Sequence, residues 1–284
     1  MGGLDFLTLG GVAAKFAWVS AGLMATGFSL HAALGVTPLG TPELGRPIVL
    51  AATALAAAIL VRLAWSAVEL AGGAMEAPAL LPLVWSVQQA AIVSTLMGAV
   101  ALVLGAIWSS RLALAVGALI AALAFGLTGH AQGDGAPPLA AALVALHVLL
   151  ASFWATAPLS LWPRARLNDA ALAVRHRRIG MIALAAVPVL VIAGGILAFW
   201  FGGNLGGLIG SPYGAAIASK AFLAAAAVAV GAWNRLVLAA RLTQDPANAR
   251  QALRTAMAVD AGLFLGAAVA VTLATTIAAP APMN

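Results

Sequence analysis

The sequence predicts an all-α, polytopic membrane bundle of about eight transmembrane helices, and three observations carry that expectation. Hydrophobic residues make up 63% of the chain and charged residues 8%, with a mean hydropathy of +1.06. The apolar runs are long, rich in Ala, Leu and Val, and lack the period-2 alternation of membrane strands. The Lys and Arg residues outside those runs fall in alternate loops. A soluble domain carries roughly a quarter charged residues to solvate its surface; a chain with 14 basic and 8 acidic side chains in 284 residues cannot do so. Its outer surface faces lipid. The backbone must then satisfy its own hydrogen bonds, as helices do.

Each span needs about 20 apolar residues. The runs place spans near 10–34, 47–71, 84–107, 111–129, 138–162, 178–202, 213–240 and 255–278. Turn-forming residues punctuate them: Pro38, Pro42 and Pro47; Gly72, Gly73 and Pro78; Pro137 and Pro138; Pro163; Pro212; and Pro246. Spans three and four nearly fuse, with only Trp108–Ser109–Ser110 between them, so a seven-span reading is the alternative. It would break the charge pattern. Arg164, Arg166, Arg175, Arg177 and Arg178 fall between spans five and six, and Arg235, Arg241, Arg250 and Arg254 around the connection of spans seven and eight. Arg46 and Arg111 occupy loops one–two and three–four, while the intervening loops hold no Lys or Arg. The positive-inside rule assigns the basic loops to the cytoplasm. Both termini and the loops around Glu76, Asp134 and Asn204 are then expected in the periplasm of a bacterial inner membrane.

Composition excludes several chemistries. With no cysteine, there is no disulfide, thiolate metal site, Cys nucleophile or cysteine-bound cluster. No Gly-Lys-Ser/Thr phosphate loop occurs, and no stretch is long enough for a soluble nucleotide-binding domain. The net charge of +6 sits in loops, where it serves topology and phospholipid headgroups rather than nucleic acid. The apolar stretch near the N-terminus follows Asp5 without a basic n-region, so it reads as the first span rather than a cleaved leader. Catalytic residues, and hence an enzyme, are not expected.

Ionisable residues inside spans cost roughly 2.5–3.5 kcal/mol each on insertion scales, so each is a candidate for function. Here they are Lys15, His31, Arg62, Glu69, His147, Lys220 and Asp260, with His130 at a helix end. His130 closes span four on the exterior side. His147 lies about nine residues into span five from that side, roughly 14 Å deep. A short loop joins the two helices, so both imidazoles can approach one exterior vestibule, where they suit a metal ion. Met75, Met97 and Glu69 could complete a soft or mixed ligand set, although filling apolar space is the ordinary role of Met. Lys220 and Glu69 share a leaflet and could pair. Asp260 could pair with Arg235 or accept a hydrogen bond from Asn234. Arg62 has no evident partner, and His31 and His176, the latter in a basic loop, are not expected to be ligands.

The order Gly129–His130, Leu146–His147, Trp154 resembles the copper resistance protein D (CopD) family of bacterial membrane proteins. So do Ser211–Pro212–Tyr213–Gly214 with Lys220, the Asn234–Arg235 pair, and a last span carrying Asp260 before a terminal Ala-Pro-Ala-Pro. The likeness runs over roughly 125–284. Two positions depart from it: Trp154–Ala155–Thr156–Ala157 replaces the usual Trp-x-Gly-Gly, and Asp260 replaces a Glu. The resemblance implies copper, as Cu(I) or Cu(II), moved from periplasm to cytoplasm with a periplasmic CopC-like copper-binding partner. It points to His130 and His147 with the Tyr213/Lys220 region. Two other readings stay open: a haem b protein using the two histidines as axial ligands, and a docking subunit with no site of its own.

Overall fold

The computed structural model describes residues 6–133, 136–164, 167–202, 211–238, 241–242 and 244–277. The chain is a multi-pass membrane protein built from helices, with no strand among the described residues. Helices α1 (Phe6–Ala33), α2 (Pro42–Ala71), α3 (Ala77–Ile107) and α4 (Arg111–Gly126) form the first half. Helix α5 (Ala140–Ala155) continues through the single turn α6 (Ala157–Ser160), followed by α7 (Asp169–Gly202), α8 (Pro212–Trp233) and α9 (Pro246–Ile277). A 3₁₀ turn (Gly129–Gln132) precedes α5, and a π-helical turn (Asn234–Leu238) ends α8.

Six of these helices, and α5 taken together with α6 (Ala140–Ser160), are long and apolar enough to cross a bilayer, and α4 is a shorter apolar helix of 16 residues. At 1.5 Å per residue α4 is about 24 Å long. Its exposed Leu112, Val116, Leu119 and Leu123 recur at helical spacing along one lipid-facing stripe. The close break before it holds: Ser109 takes a left-handed φ of 52°, and the Ser110 hydroxyl caps α4 by accepting from the Ala113 N–H at 3.2 Å.

The main correction concerns the starts of the two helices that carry most of the arginines. The expected starts of spans six and eight, 178 and 255, are each nine residues late: α7 begins at Asp169 and α9 at Pro246. Arg175, His176, Arg177 and Arg178 are therefore helical, not loop, as are Arg250 and Arg254. Hydropathy marks the part of a helix that touches lipid, whereas the hydrogen-bonded length is set by its caps. At α7 the Asn168 side chain accepts from the Ala171 N–H at 2.7 Å. Likewise Pro47, expected to open span two, lies inside α2, which starts at Pro42. The expected loops around Asp134 and Asn204 lie outside the described residues.

The largest buried cluster joins α1 to α4 through residues such as Trp18, Ile48, Leu55, Ile92, Leu102 and Leu114. In the second half, Phe153, Leu161, Ile179 and Met257 make one cluster, and Leu172, Leu238, Leu242 and Leu253 another, toward the ends of α7 and α9. Arg250 clamps this end. It pairs with Asp169 at 2.7 Å and donates to the carbonyls of Arg164 (3.2 Å) and Leu167. Arg250→Ala is expected to cost about 1–2 kcal/mol in a denaturant titration, because two carbonyls and a carboxylate lose their charged donor.

Candidate functional site

The intramembrane polar residues separate into four places. Between α1 and α2, Lys15 donates to the Thr275 carbonyl near the end of α9 at 3.0 Å, where the helix leaves carbonyls unpaired. The Arg62 guanidinium lies over the Trp18 ring, 4.2 Å from its centroid, and the Glu69 carboxylate covers Gly11 of α1. Glu69 thus faces α1 and not Lys220, so the pair expected between them is absent. Met75 is 96% exposed after α2, and Met97 is 57% exposed on the outer side of α3.

His31 is fully buried between α1 and the α5–α6 junction. Its Nδ1 meets the Ser160 hydroxyl at 2.7 Å and its Nε2 the Phe153 carbonyl at 2.8 Å, with the Phe153 ring edge-on at 4.7 Å. Both ring nitrogens are engaged, as befits a packing histidine. His31→Leu is expected to cost about 1–3 kcal/mol on thermal unfolding, by stranding a buried hydroxyl and carbonyl, without changing metal content.

His147 is placed differently. It projects from α5 between α7 and α8, and its Nε2 lies 3.4 Å from the Lys220 Nζ. An ammonium has no acceptor, so Nε2 accepts and Nδ1 carries the ring proton. Nδ1 lies near the Leu190 backbone carbonyl of α7 yet makes no hydrogen bond of normal geometry. The ring has room because residue 194 is glycine: a Cβ there would stand 3.0 Å from the imidazole Cε1. From the starts of their helices, His147 and Lys220 lie about 10 and 12 Å in, so they meet at one depth. His130 has its backbone in the 3₁₀ turn before α5; its side-chain placement lies outside the described residues. Among the described residues no three His, Asp or Glu side chains gather as a metal cluster.

The fourth place is a cavity of about 440 Å³ between α5, α6, α7, α8 and α9. Its wall includes Leu150, Trp154, Ile179, Ala183, Val187 and Leu190, so it begins at the Leu190 turn, next to His147, and runs toward the start of α7. His176, Asn234 and Asp260 line it too, and they are 4%, 2% and 3% exposed. The expected partnerships of Asp260 are not made: neither an ion pair with Arg235 nor a hydrogen bond with Asn234 forms. Arg235 donates instead to the Gly180 carbonyl at 2.6 Å, where a helical glycine leaves the backbone accessible. The π-helical turn starts at Asn234 and widens the helix there, a device common at functional sites.

The sequence reading missed His176 as a cavity residue, because its apolar surroundings come from other helices. Tyr213 is buried in the first turn of α8. The Ser211–Pro212–Tyr213–Gly214 motif is a helix start, with the Ser211 hydroxyl accepting from the Gly214 N–H at 3.0 Å.

Residues 173–274 match the family model CopD, copper resistance protein D. The matched stretch takes in most of α7, all of α8 and its π-helical turn, and α9 almost to its end. It contains Gly194, Lys220, Asn234 and Asp260, whereas His130 and His147 precede it. No curated protein and no solved structure matches the chain.

Proposed function

Because residues 173–274 match the model of the copper resistance protein D family, we propose that this multi-pass membrane protein belongs to that family, binds a copper ion within the bilayer and carries it from periplasm to cytoplasm. The membrane is the bacterial inner membrane, with the basic loops in the cytoplasm. The ion is cargo, supplied by a CopC-type periplasmic copper-binding protein.

The observation that carries this reading is the His147 imidazole, held inside the membrane against two residues of the matched segment, Gly194 and Lys220. Neutral imidazole binds copper in either oxidation state. Its lone pair on Nε2 faces Lys220, so copper and the ammonium compete for one acceptor. Lys220 keeps the imidazole occupied until the ion displaces it, and His130 belongs to the same exterior approach. Haem b held by His130 and His147 would need a second haem near the opposite leaflet for a transmembrane electron path, and His31, the histidine available there, has both nitrogens engaged.

The test is radiocopper accumulation in proteoliposomes holding the full chain. Wild type is expected to accumulate copper well above protein-free vesicles, and His147→Ala to fall to their level. Equal uptake by the two proteins would overturn the reading.

A further inference from the structure

We propose that the cavity between α5, α7, α8 and α9 binds a membrane-dissolved amphipath with an apolar body and an uncharged head that both donates and accepts hydrogen bonds. A quinol is the type of such a molecule. The site is separate from the copper reading and does not depend on it.

Its construction selects that chemistry. At about 440 Å³ the space is within the range of small-molecule sites, which are mostly apolar with a few convergent polar groups. Leu150, Ile179, Leu184, Val187 and Val228 present hydrocarbon along its wall. At the cytoplasmic end, His176 Nε2, Asn234 Nδ2 and Oδ1, and Asp260 Oδ1 are all buried without a hydrogen-bond partner. Each such group costs about 1–3 kcal/mol if left unpaired. Four in one cavity form a set of complementary donors and acceptors, as a hydroxyl- or carbonyl-bearing ring requires.

Other occupants fit less well. A metal ion entering this wall would exchange its hydration shell for hydrocarbon over most of its surroundings. A phospholipid headgroup needs cations for its phosphate. Among the described lining residues the one guanidinium, Arg235, is committed to the Gly180 carbonyl, and Asp260 would repel the phosphate.

The test uses the full chain in detergent and three probes by isothermal calorimetry: a decyl-benzoquinol, decylbenzene, and a short-chain phosphatidylglycerol. Wild type is expected to bind the quinol saturably and one-to-one, at least ten-fold more tightly than decylbenzene, which has the tail without the head. Asn234→Leu, which removes two of the head's four partner atoms, and Ala183→Phe, which fills the apolar space, are each expected to weaken quinol binding at least ten-fold. Should both variants fail to fold, the comparison of the probes on wild type decides alone. Absence of saturable quinol binding, equal affinity for decylbenzene, unchanged affinity in folded variants, or tighter binding of phosphatidylglycerol would each overturn the proposal.

Discussion

Copper bound by the purified chain is expected to fall at least about a hundred-fold in affinity when His147 is replaced by Ala, and to rise about ten-fold when Lys220 is replaced by Met. The first loss follows from removing the imidazole around which α5, α7 and α8 converge, and about 2.7 kcal/mol corresponds to a hundred-fold. The gain follows from geometry. The Lys220 Nζ lies 3.4 Å from Nε2, where it both occupies the lone pair and repels an arriving cation across a medium that screens charge poorly. Met is unbranched and one atom shorter than Lys, removes the charge and adds a thioether. The two variants move in opposite directions only if copper uses the acceptor that faces Lys220. Metal content by mass spectrometry after equilibrium dialysis measures both. A His147→Ala protein with wild-type copper would sink the site, and a Lys220→Met protein with weaker copper would make Lys220 an aid to binding instead of a competitor.

What the sequence disclosed and what it withheld divide along one physical line. Hydropathy and charge act locally, so the alternation of basic loops and apolar runs located the helices, even at the three-residue break of Trp108–Ser110. The same local signal placed the starts of α7 and α9 too late, since polar first turns carry no hydropathy. Histidine roles are set by distant partners. His31 and His176 read alike as single histidines in the sequence, yet His31 finds Ser160 and Phe153 in another part of the chain, while His176 Nε2 finds none. His147 and Lys220 were each recognisable as costly intramembrane residues. Their meeting required the packing of α5 on α8, and spacing along the chain cannot encode it. Glu69 and Lys220, assigned to one leaflet by counting, face different helices because depth does not fix direction around the bundle.

Gly98→Leu is expected to destabilise the chain by about 3 kcal/mol, whereas Gly195→Leu is expected to stay within about 0.5 kcal/mol of wild type. Both glycines are helical and within the membrane, so composition alone does not separate them. At Gly98 a Cβ would lie 2.8 Å from the Ala121 backbone nitrogen and 2.9 Å from its Cα. Backbone cannot rotate aside as a side chain can, so α4 as a whole must retreat. Gly105 on the same face of α3 meets the Leu114 nitrogen at 2.9 Å, and Gly117 of α4 meets the Leu102 side chain at 2.8 Å. The two helices are thus in close register along their length. Lipid is as apolar as the side chains it would replace, so no hydrophobic gain compensates for lost contacts, and close packing supplies the association. Gly195 of α7 has nothing within 4 Å of its Cβ position, and a Leu there extends into lipid. Unfolding in mixed micelles of increasing SDS fraction measures the two variants side by side. Equal stability of Gly98→Leu and wild type would show that α3 and α4 are held by something other than this glycine-lined approach.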